Sequence, residues 1–289
     1  TDQWRQHRAG RLMNRLQLFA PRLIITETFP FGRRQFRFEL EPLLKWVETQ
    51  ASVRLVASIR DVLQRRAADR EHATVDIIRR YYDAVLVHGD ERLFKLDASF
   101  PLSDEIADRL VYTGYIHQPP QGHGEEDMQA GELADTNEVL VSGGSGSVSS
   151  NLLEVARQAR PLSRARSLTW RLLTGRDRSR KPSQPEPGLI IEPNRPDFFE
   201  LLGRCTLSIS QAGYNTSRDV LASGARAVMV PFAADGETEQ TDRARALERA
   251  GHDEQVAARK LVEATVVPSE QPGILRRAVG SQQHAAQRR

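Results

Sequence analysis

The sequence predicts an α/β protein built from two doubly wound, Rossmann-like lobes. Short runs rich in Val, Ile and Leu alternate with stretches whose apolar residues recur every three or four positions. This alternation is typical of buried parallel strands joined by crossover helices. It occurs in two blocks, residues 1–118 and residues 138–289, and the 289 residues are enough for two domains of ordinary size.

The first block contains four predicted strands and two predicted helices. The helices are the periodic stretches LEPLLKWVET and DREHATVDIIRRYY. The polar start, TDQWRQHRAG, has neither an initiator Met nor an apolar signal core, and we interpret it as a processed or incomplete amino terminus. The predicted strands are Leu23–Thr26, Val53–Ile59, Ala84–His88 and Arg109–Ile116.

Residues 119–137 are rich in Pro, Gly and acidic residues without an apolar period, which predicts a linker. The second block then alternates again and is expected to finish in further helices after a stop signal at Gly251. Its predicted strands are EVLVS, SLTWRLLTG, LIIEP, Leu207–Ile209 and Val228–Val230, and its predicted helices are Val148–Ala159, Phe198–Leu202, one beginning near Asn215, and Glu237–Ala250.

Composition excludes several classes of protein. No apolar run approaches the ~20 residues of a membrane helix. The single cysteine, Cys205, rules out an intrachain disulfide and makes the cytoplasm the default compartment. The His, Cys and Asp residues show no metal-ligand spacing, so no metal and no cofactor are predicted.

Basic residues cluster between Arg157 and Lys181, although the formal net charge is only +3. Such a cluster is usually a solvated face, and the alternative is an anionic partner such as a diphosphate or a membrane surface. The cluster lacks interleaved aromatic residues apart from Trp170, so nucleic acid is not expected as a partner.

The segment SGGSGSVSS, Ser142 to Ser150, follows an apolar strand and opens a helix. Glycines there let backbone N–H groups approach a phosphate at the positive end of the helix, although a plain strand-to-helix turn has the same pattern. A nicotinamide dinucleotide fits less well, because the third fingerprint position is Ser149 and the next strand ends without an acid for the ribose.

Two later segments carry side chains that suit a sugar or a ribose. Asp219 lies about one turn into a helix. There a carboxylate can accept hydrogen bonds from both ribose hydroxyls, or it can simply interact favourably with the helix dipole. Glu239 and Gln240 begin another helix after the strand that ends at Pro231-Phe232, where they can bind sugar hydroxyls or face solvent.

At these residues the chain resembles the carboxy-terminal half of family 28 glycosyltransferases, which include the enzyme that adds N-acetylglucosamine to a peptidoglycan lipid precursor. The matching features are Gly213, Asp219, Pro231-Phe232, Gln240 and Ala250-Gly251. The stretches FPFGRRQFRFELEPLL, VHGD and YTGYIHQP are also similar to a branch of predicted bacterial glycosyltransferases.

The resemblance implies a GT-B fold, with the nucleotide-sugar donor held at the carboxyl ends of the strands of the second lobe. Asp219 would hold the ribose, Glu239 and Gln240 the donor sugar, and Ser142 to Ser145 the diphosphate. The backbone near Asn194-Arg195 would bind the base. The donor-binding residues expected in all are Ser142, Gly143, Gly144, Ser145, Asn194, Arg195, Gln211, Gly213, Asp219, Glu239 and Gln240.

Three departures from the family pattern stand out. Gln211 occupies a position that is usually Arg, and Asp219 one that is usually Glu. The family also opens with a strand and a Gly/His-rich loop that helps to bind the acceptor, and the chain starts after that element, so the first lobe looks truncated. The visible candidates for a catalytic base in that lobe are Glu27, His88 and Asp90.

These features predict a metal-independent, inverting transfer of a sugar from a nucleotide diphosphate donor, with UDP expected, to an acceptor hydroxyl or amine. The acceptor is unknown, and the aromatic and basic run Phe29 to Phe38 suggests either a peripheral membrane contact or an ordinary amphipathic helix. Two alternatives stay open: a UDP-sugar epimerase of the same fold, and a non-catalytic protein that binds nucleotide sugars.

Overall fold

The computed structural model describes residues 1–117, 136–143, 149–175, 186–233, 236–251 and 264–266. The chain divides into two compact units, Thr1–Ile116 and His117–Arg289, each with helices and a parallel sheet. Most of the predicted linker, residues 119–135, lies outside the described residues.

The first unit contains three helices and a four-stranded sheet of order β1-β2-β3-β4. All three strand pairs are parallel, with Ile25 opposite Val56 and Val56 opposite Ala84 in the register. The elements are α1 (Asp2–Phe19), β1 (Leu23–Glu27), α2 (Arg37–Glu48), β2 (Arg54–Arg60), α3 (Ala68–Tyr81), β3 (Ala84–His88) and β4 (Leu110–Tyr112), with 3₁₀ turns at Arg34–Phe36, Leu96–Ala98 and Pro101–Arg109.

The core of the first unit lies where α2 and α3 pack on the sheet. Leu55, Ile78 and Val85 are completely buried there. Tyr82 is also buried, and its hydroxyl lies 2.9 Å from Thr26 Oγ1. On the edge strand β1 the alternate side chain Ile25 is 55% exposed, so this strand is covered on one face only.

Helix α1 was not predicted. Its polar residues dominate the sequence and none of its side chains is buried, which explains why the apolar period is weak. Leu12, Met13 and Leu16 nevertheless pack against the core at spacings of one helical turn. Arg8 of α1 also binds the nearly buried Glu39 of α2, at 2.6 Å from Nε to Oε2.

The second unit contains a six-stranded parallel sheet of order β10-β9-β8-β5-β6-β7. The buried Trp170 on β6 anchors its core, and its indole N–H donates to Ala165 O at 3.0 Å. The elements are β5 (Glu138–Ser142), α4 (Ser149–Ala159), β6 (Thr169–Leu173), β7 (Leu189–Glu192), α5 (Phe198–Arg204), β8 (Leu207–Ser210), α6 (Tyr214–Ser223), β9 (Ala227–Met229), α7 (Glu239–Gly251) and β10 (Ala264–Val266), with a 3₁₀ turn at Arg160–Leu162.

The strand order reverses at β5. The chain moves outward from β5 to β6 and β7, then crosses back so that β8 pairs with the other side of β5. Where the strand order reverses in this way, open α/β sheets bind ligands beside the carboxyl ends of the two central strands, here β5 and β8.

Two predictions of secondary structure were wrong. The final segment was expected to be helical, but Ala264–Val266 forms a strand parallel to β9. The β-branched residues Thr265 and Val266 suit a strand, and the sheet edge at β9 offers a partner for them. The fourth predicted strand, Arg109–Ile116, is shortened to Leu110–Tyr112. A 3₁₀ turn includes Arg109, and Gly114, with a φ of 71°, leaves the extended conformation after the strand.

Within the described ranges, none of the helices combines the length and the apolar character that a membrane crossing requires.

Candidate functional site

The strand ends at the switch point carry two serine side chains side by side. Ser142 of β5 and Ser210 of β8 are partners in the parallel register, so their side chains lie on the same face of the sheet. Ser142 is 5% exposed and Ser210 is completely buried, and neither hydroxyl has a hydrogen-bond partner among the described residues. Buried hydroxyls are normally bonded, so these two, which stand at the strand ends, are candidates for contact with a bound group.

Gly143 follows Ser142 and is buried, whereas the predicted diphosphate residues Gly144 and Ser145 lie outside the described residues. On the other side of the crevice, Gln211 is half-buried and Gly213 is the N-cap of α6. Gly213 has an ordinary φ of −66°, and among the described residues no atom lies within 4 Å of where its Cβ would stand. Nothing in the described fold therefore requires a glycine at this position, and the open space suits a ligand that approaches the backbone.

The predicted ribose ligand, Asp219, lies inside α6 and is already engaged. Its Oδ1 accepts from Arg218 Nη2 at 2.7 Å and from Nε at 3.0 Å. Its Oδ1 also lies 3.7 Å from Nδ1 of His117, whose ring is 4.4 Å from the ring of Phe199. The Asp219 side chain is 18% exposed. A guanidinium and an imidazole both lie beside its carboxylate.

The end of β9 and the start of α7 are joined by side chains. Gln240 Oε1 accepts from the backbone N–H of Phe232 at 3.1 Å, which fixes the loop after Pro231. Glu239 Oε1 accepts from Nη2 of the buried Arg243 at 2.9 Å. Burial raises the pKa of the nearby Glu237 carboxyl, and the charge of Glu239 adds to that rise.

The predicted base-binding backbone follows β7. Asn194 is tied to the end of β6, because its N–H donates to Gly175 O at 2.9 Å and its Oδ1 accepts from Gly175 N at 3.0 Å. Arg195 binds Asp197 at 2.6 Å, and hydrogen bonding to that carboxylate raises the pKa of the guanidinium. The loop is therefore held by the strands beneath it, which suits a site for a flat base.

In the first unit, His88 ends β3 and is held at both ring nitrogens. Its Nε2 lies 2.8 Å from Ser58 Oγ and its Nδ1 lies 2.9 Å from Thr113 Oγ1. Burial lowers the pKa of His88, so its ring is neutral at pH 7, with one nitrogen donating and the other accepting.

The other two base candidates are both paired. Asp90 accepts from the side chain and the backbone of Arg92, and Glu27 Oε2 lies 3.0 Å from Arg33 Nη2. Glu27 is well exposed and lines a cavity of about 830 Å³ between α1, β1 and α2. Glu27 ends β1, whereas His88 ends β3 and Asp90 follows it, with β2 between the two strands. Because all the strands are parallel, the three candidates lie along the same edge of the sheet.

Sequence reasoning missed four residues of these clusters. Ser210 and Arg243 are ordinary by sequence, and only the register and the burial reveal them. His117 falls in the part of the sequence assigned to the first lobe, although it belongs to the second unit. The buried Asp61 accepts from Tyr115 Oη at 2.8 Å, and its position just after β2 at a strand end was the signal that could have found it.

The sequence of the second unit matches a known protein family. Residues 138–272 match the model of the glycosyltransferase family 28 C-terminal domain. The comparison with curated proteins finds no match.

Several solved structures share the fold at low sequence identity. The glycotransferase of kitacinnamycin aligns with a TM-score of 0.61 at 14% identity, covering 94% of this chain and 70% of its own. The Acinetobacter baumannii MurG aligns with a TM-score of 0.57 at 14% identity, covering 96% and 70%. The spinosyn rhamnosyltransferase SpnG complexed with thymidine diphosphate aligns with a TM-score of 0.54 at 17% identity, covering 96% and 70%.

Such identities show the fold alone, whereas the family model assigns the second unit by its sequence. Residues 138–272 of the second unit therefore match a glycosyltransferase family 28 C-terminal domain, and the chain shares the GT-B fold of the solved glycosyltransferases.

Proposed function

We propose that this protein transfers a sugar from a nucleoside diphosphate donor to an acceptor hydroxyl or amine, without a metal ion and with inversion at the anomeric carbon. The observation that carries the proposal is the pair of buried hydroxyls of Ser142 and Ser210 at the switch point of the second sheet, which have no hydrogen-bond partner within the described ranges. Two hydroxyl donors beside the N-terminus of α6 suit the diphosphate of the donor.

The remaining parts of the donor have matching side chains nearby. The carboxylate of Asp219 is the acceptor that two ribose hydroxyls need, and Glu239 and Gln240 offer acceptor and amide groups for the sugar. The backbone after β7, near Asn194, offers groups for the base. UDP is the expected nucleotide. Because the SpnG structure contains thymidine diphosphate, dTDP is the second nucleotide to test.

In the proposed reaction the acceptor oxygen or nitrogen attacks the anomeric carbon from the side opposite the diphosphate. The bond between that carbon and the diphosphate oxygen breaks, the diphosphate leaves with the electron pair, and a general base takes the acceptor proton. Hydroxyls and backbone N–H groups stabilise the charge that develops on the leaving diphosphate.

His88 is the base that we favour among the three candidates in the first unit. Its lowered pKa keeps the ring neutral and able to accept a proton, whereas Asp90 and Glu27 are each paired with an arginine. A cytoplasmic location, with a peripheral membrane contact near the acceptor, stays a prediction.

The test is calorimetric titration of UDP and dTDP into the protein and into its Ser210→Ala and Asp219→Ala variants. Loss of one hydrogen bond to a charged group predicts a dissociation constant about 10-fold to 100-fold higher for Ser210→Ala. Ser208→Ala is the matched control, because Ser208 is an equally buried and unpartnered serine on β8, two residues before the strand end. We expect that variant to bind as the unmodified protein does.

Outcomes that oppose the proposal are equally clear. If neither nucleotide binds the folded protein, the donor-site assignment is wrong. If a UDP-sugar is converted to its epimer without an acceptor, the chain is an epimerase. Tight binding without turnover, after a screen of acceptors with the full chain, identifies a binding protein.

A further inference from the structure

The side chain of Arg243 connects two separate parts of the candidate donor site. Arg243 is only 1% exposed, although it stands on α7, whose neighbour Arg245 is exposed. A buried guanidinium is costly unless its charge and its N–H groups are satisfied, so its partners explain its presence.

One partner is the glycine turn that leads into α6. Nη1 of Arg243 donates to the backbone carbonyl of Ala212 at 2.8 Å, and Ala212 is itself completely buried. The guanidinium carbon also lies 5.7 Å from the ring centroid of Tyr214, the first residue of α6. Arg243 therefore fixes the turn at whose end the N–H groups of α6 begin.

A second partner of Arg243 is Glu239, the side chain assigned to the donor sugar. Nη2 of Arg243 binds Glu239 Oε1 at 2.9 Å, one helical turn earlier on α7, and Glu239 is 23% exposed. A carboxylate paired in this way keeps its charge and its orientation, and the exposed fraction of Glu239 is the part that a ligand can reach.

We propose that Arg243 is a positioning residue that aims the carboxylate of Glu239 at the hydroxyls of the donor sugar. The inference rests on the proposed function, because it assigns Glu239 to the sugar. Its specific consequence is that loss of Arg243 lowers the affinity for a nucleotide sugar by a larger factor than the affinity for the free nucleotide, which changes only through the turn at Ala212.

The experiment compares binding of UDP with UDP-N-acetylglucosamine, and of dTDP with dTDP-glucose, in four proteins. These are the unmodified chain, Arg243→Lys, Glu239→Gln and the control Arg245→Lys. Lysine keeps the charge but cannot reach both partners with a planar fork, so the ratio of nucleotide to nucleotide-sugar affinity should shift about tenfold against the sugar. Glu239→Gln should give the same shift, and Arg245→Lys none.

A structural role alone predicts something different. It would weaken nucleotide and nucleotide-sugar binding by the same factor in Arg243→Lys, and that result overturns the inference while leaving the donor site intact. Glu239→Gln serves as the independent arm if Arg243→Lys does not fold, and an unchanged ratio in that variant also overturns it. If the unmodified chain binds none of the four compounds, the proposed function fails first and the inference fails with it.

Discussion

At the scale of single residues, His88 makes stability depend on pH. Its pKa is lowered by burial in the folded chain, so below about pH 6.5 the unfolded chain takes up a proton more readily than the folded chain does. The stabilisation is therefore complete above that pH and is lost as the pH falls through the lowered pKa.

We expect His88→Gln to lose less stability between pH 7.5 and pH 5.5 than the unmodified chain, as measured by urea midpoints. His72→Gln is the control, because His72 lies on the exposed face of α3. Equal pH profiles for His88→Gln and the unmodified chain would contradict the assignment.

Gly213 gives a second prediction at this scale. A Cβ at this position meets no described atom within 4 Å and φ is ordinary, so Gly213→Ala should change the free energy of unfolding by less than about 1 kcal/mol. The same methyl group would occupy the space beside the N-terminus of α6, and we expect UDP or dTDP to bind at least tenfold more weakly. Calorimetry and urea unfolding on the same sample separate the two effects, and equal nucleotide affinity would contradict the proposed position of the diphosphate.

Gly213 and Asp219 could be picked out from the sequence, because a glycine before a helix and an acidic residue about one turn into it form a known pattern. The sequence did not reveal Ser210, because a serine on a strand carries no signal until the register puts it beside Ser142. The pairing of Asp219 with His117 was also hidden, since it depends on the packing of α6 against a residue distant in sequence.

At the scale of secondary-structure elements, replacing two glycines by alanine is expected to change the free energy of unfolding in opposite directions. A Cβ on Gly89 would stand 2.6 Å from Cβ of Asp61, so the turn after β3 packs tightly against the end of β2. Gly89→Ala should cost about 1–3 kcal/mol through overpacking. Gly10, inside α1, has no described atom within 4 Å of its Cβ position, so Gly10→Ala should stabilise by about 0.5–1 kcal/mol through helix propensity.

Urea unfolding of the two variants checks both signs together. Destabilisation by Gly10→Ala would mean that α1 is not helical in solution. If Gly89→Ala leaves the free energy of unfolding unchanged, the turn after β3 relaxes to accommodate the added methyl group.

The strands were more predictable than the ends of the chain. β3 has the predicted bounds, because a run of Ala, Val and Leu closed by a polar residue admits few other structures. α1 and β10 were missed for opposite reasons: α1 packs through only a few apolar residues of a polar segment, and β10 is three residues long and needs the edge of β9 beside it.

At the scale of the whole molecule, two separate cores determine stability. The buried cluster of the first unit runs from Ile24 to Ile106 and that of the second from Val139 to Val228, so they share no residue. Ile78→Ala and Leu172→Ala should each cost about 2–5 kcal/mol. In the double variant the two losses should add to within about 0.5 kcal/mol, measured as summed unfolding free energies, and a clear departure from additivity would show that the cores are coupled.

The purely parallel pairing of the described strands has a consequence for how the chain folds. Parallel neighbours are never joined by a tight hairpin, so each pairing must wait until a long crossover has closed, and such topologies fold slowly. In the second unit the first strand to leave the ribosome, β5, is a central one, and its two neighbours β6 and β8 arrive on opposite sides. β6 can cover one edge of nascent β5, but the other edge stays unsatisfied until β8 has been synthesised. This interval is when the chain most needs protection from association with its neighbours.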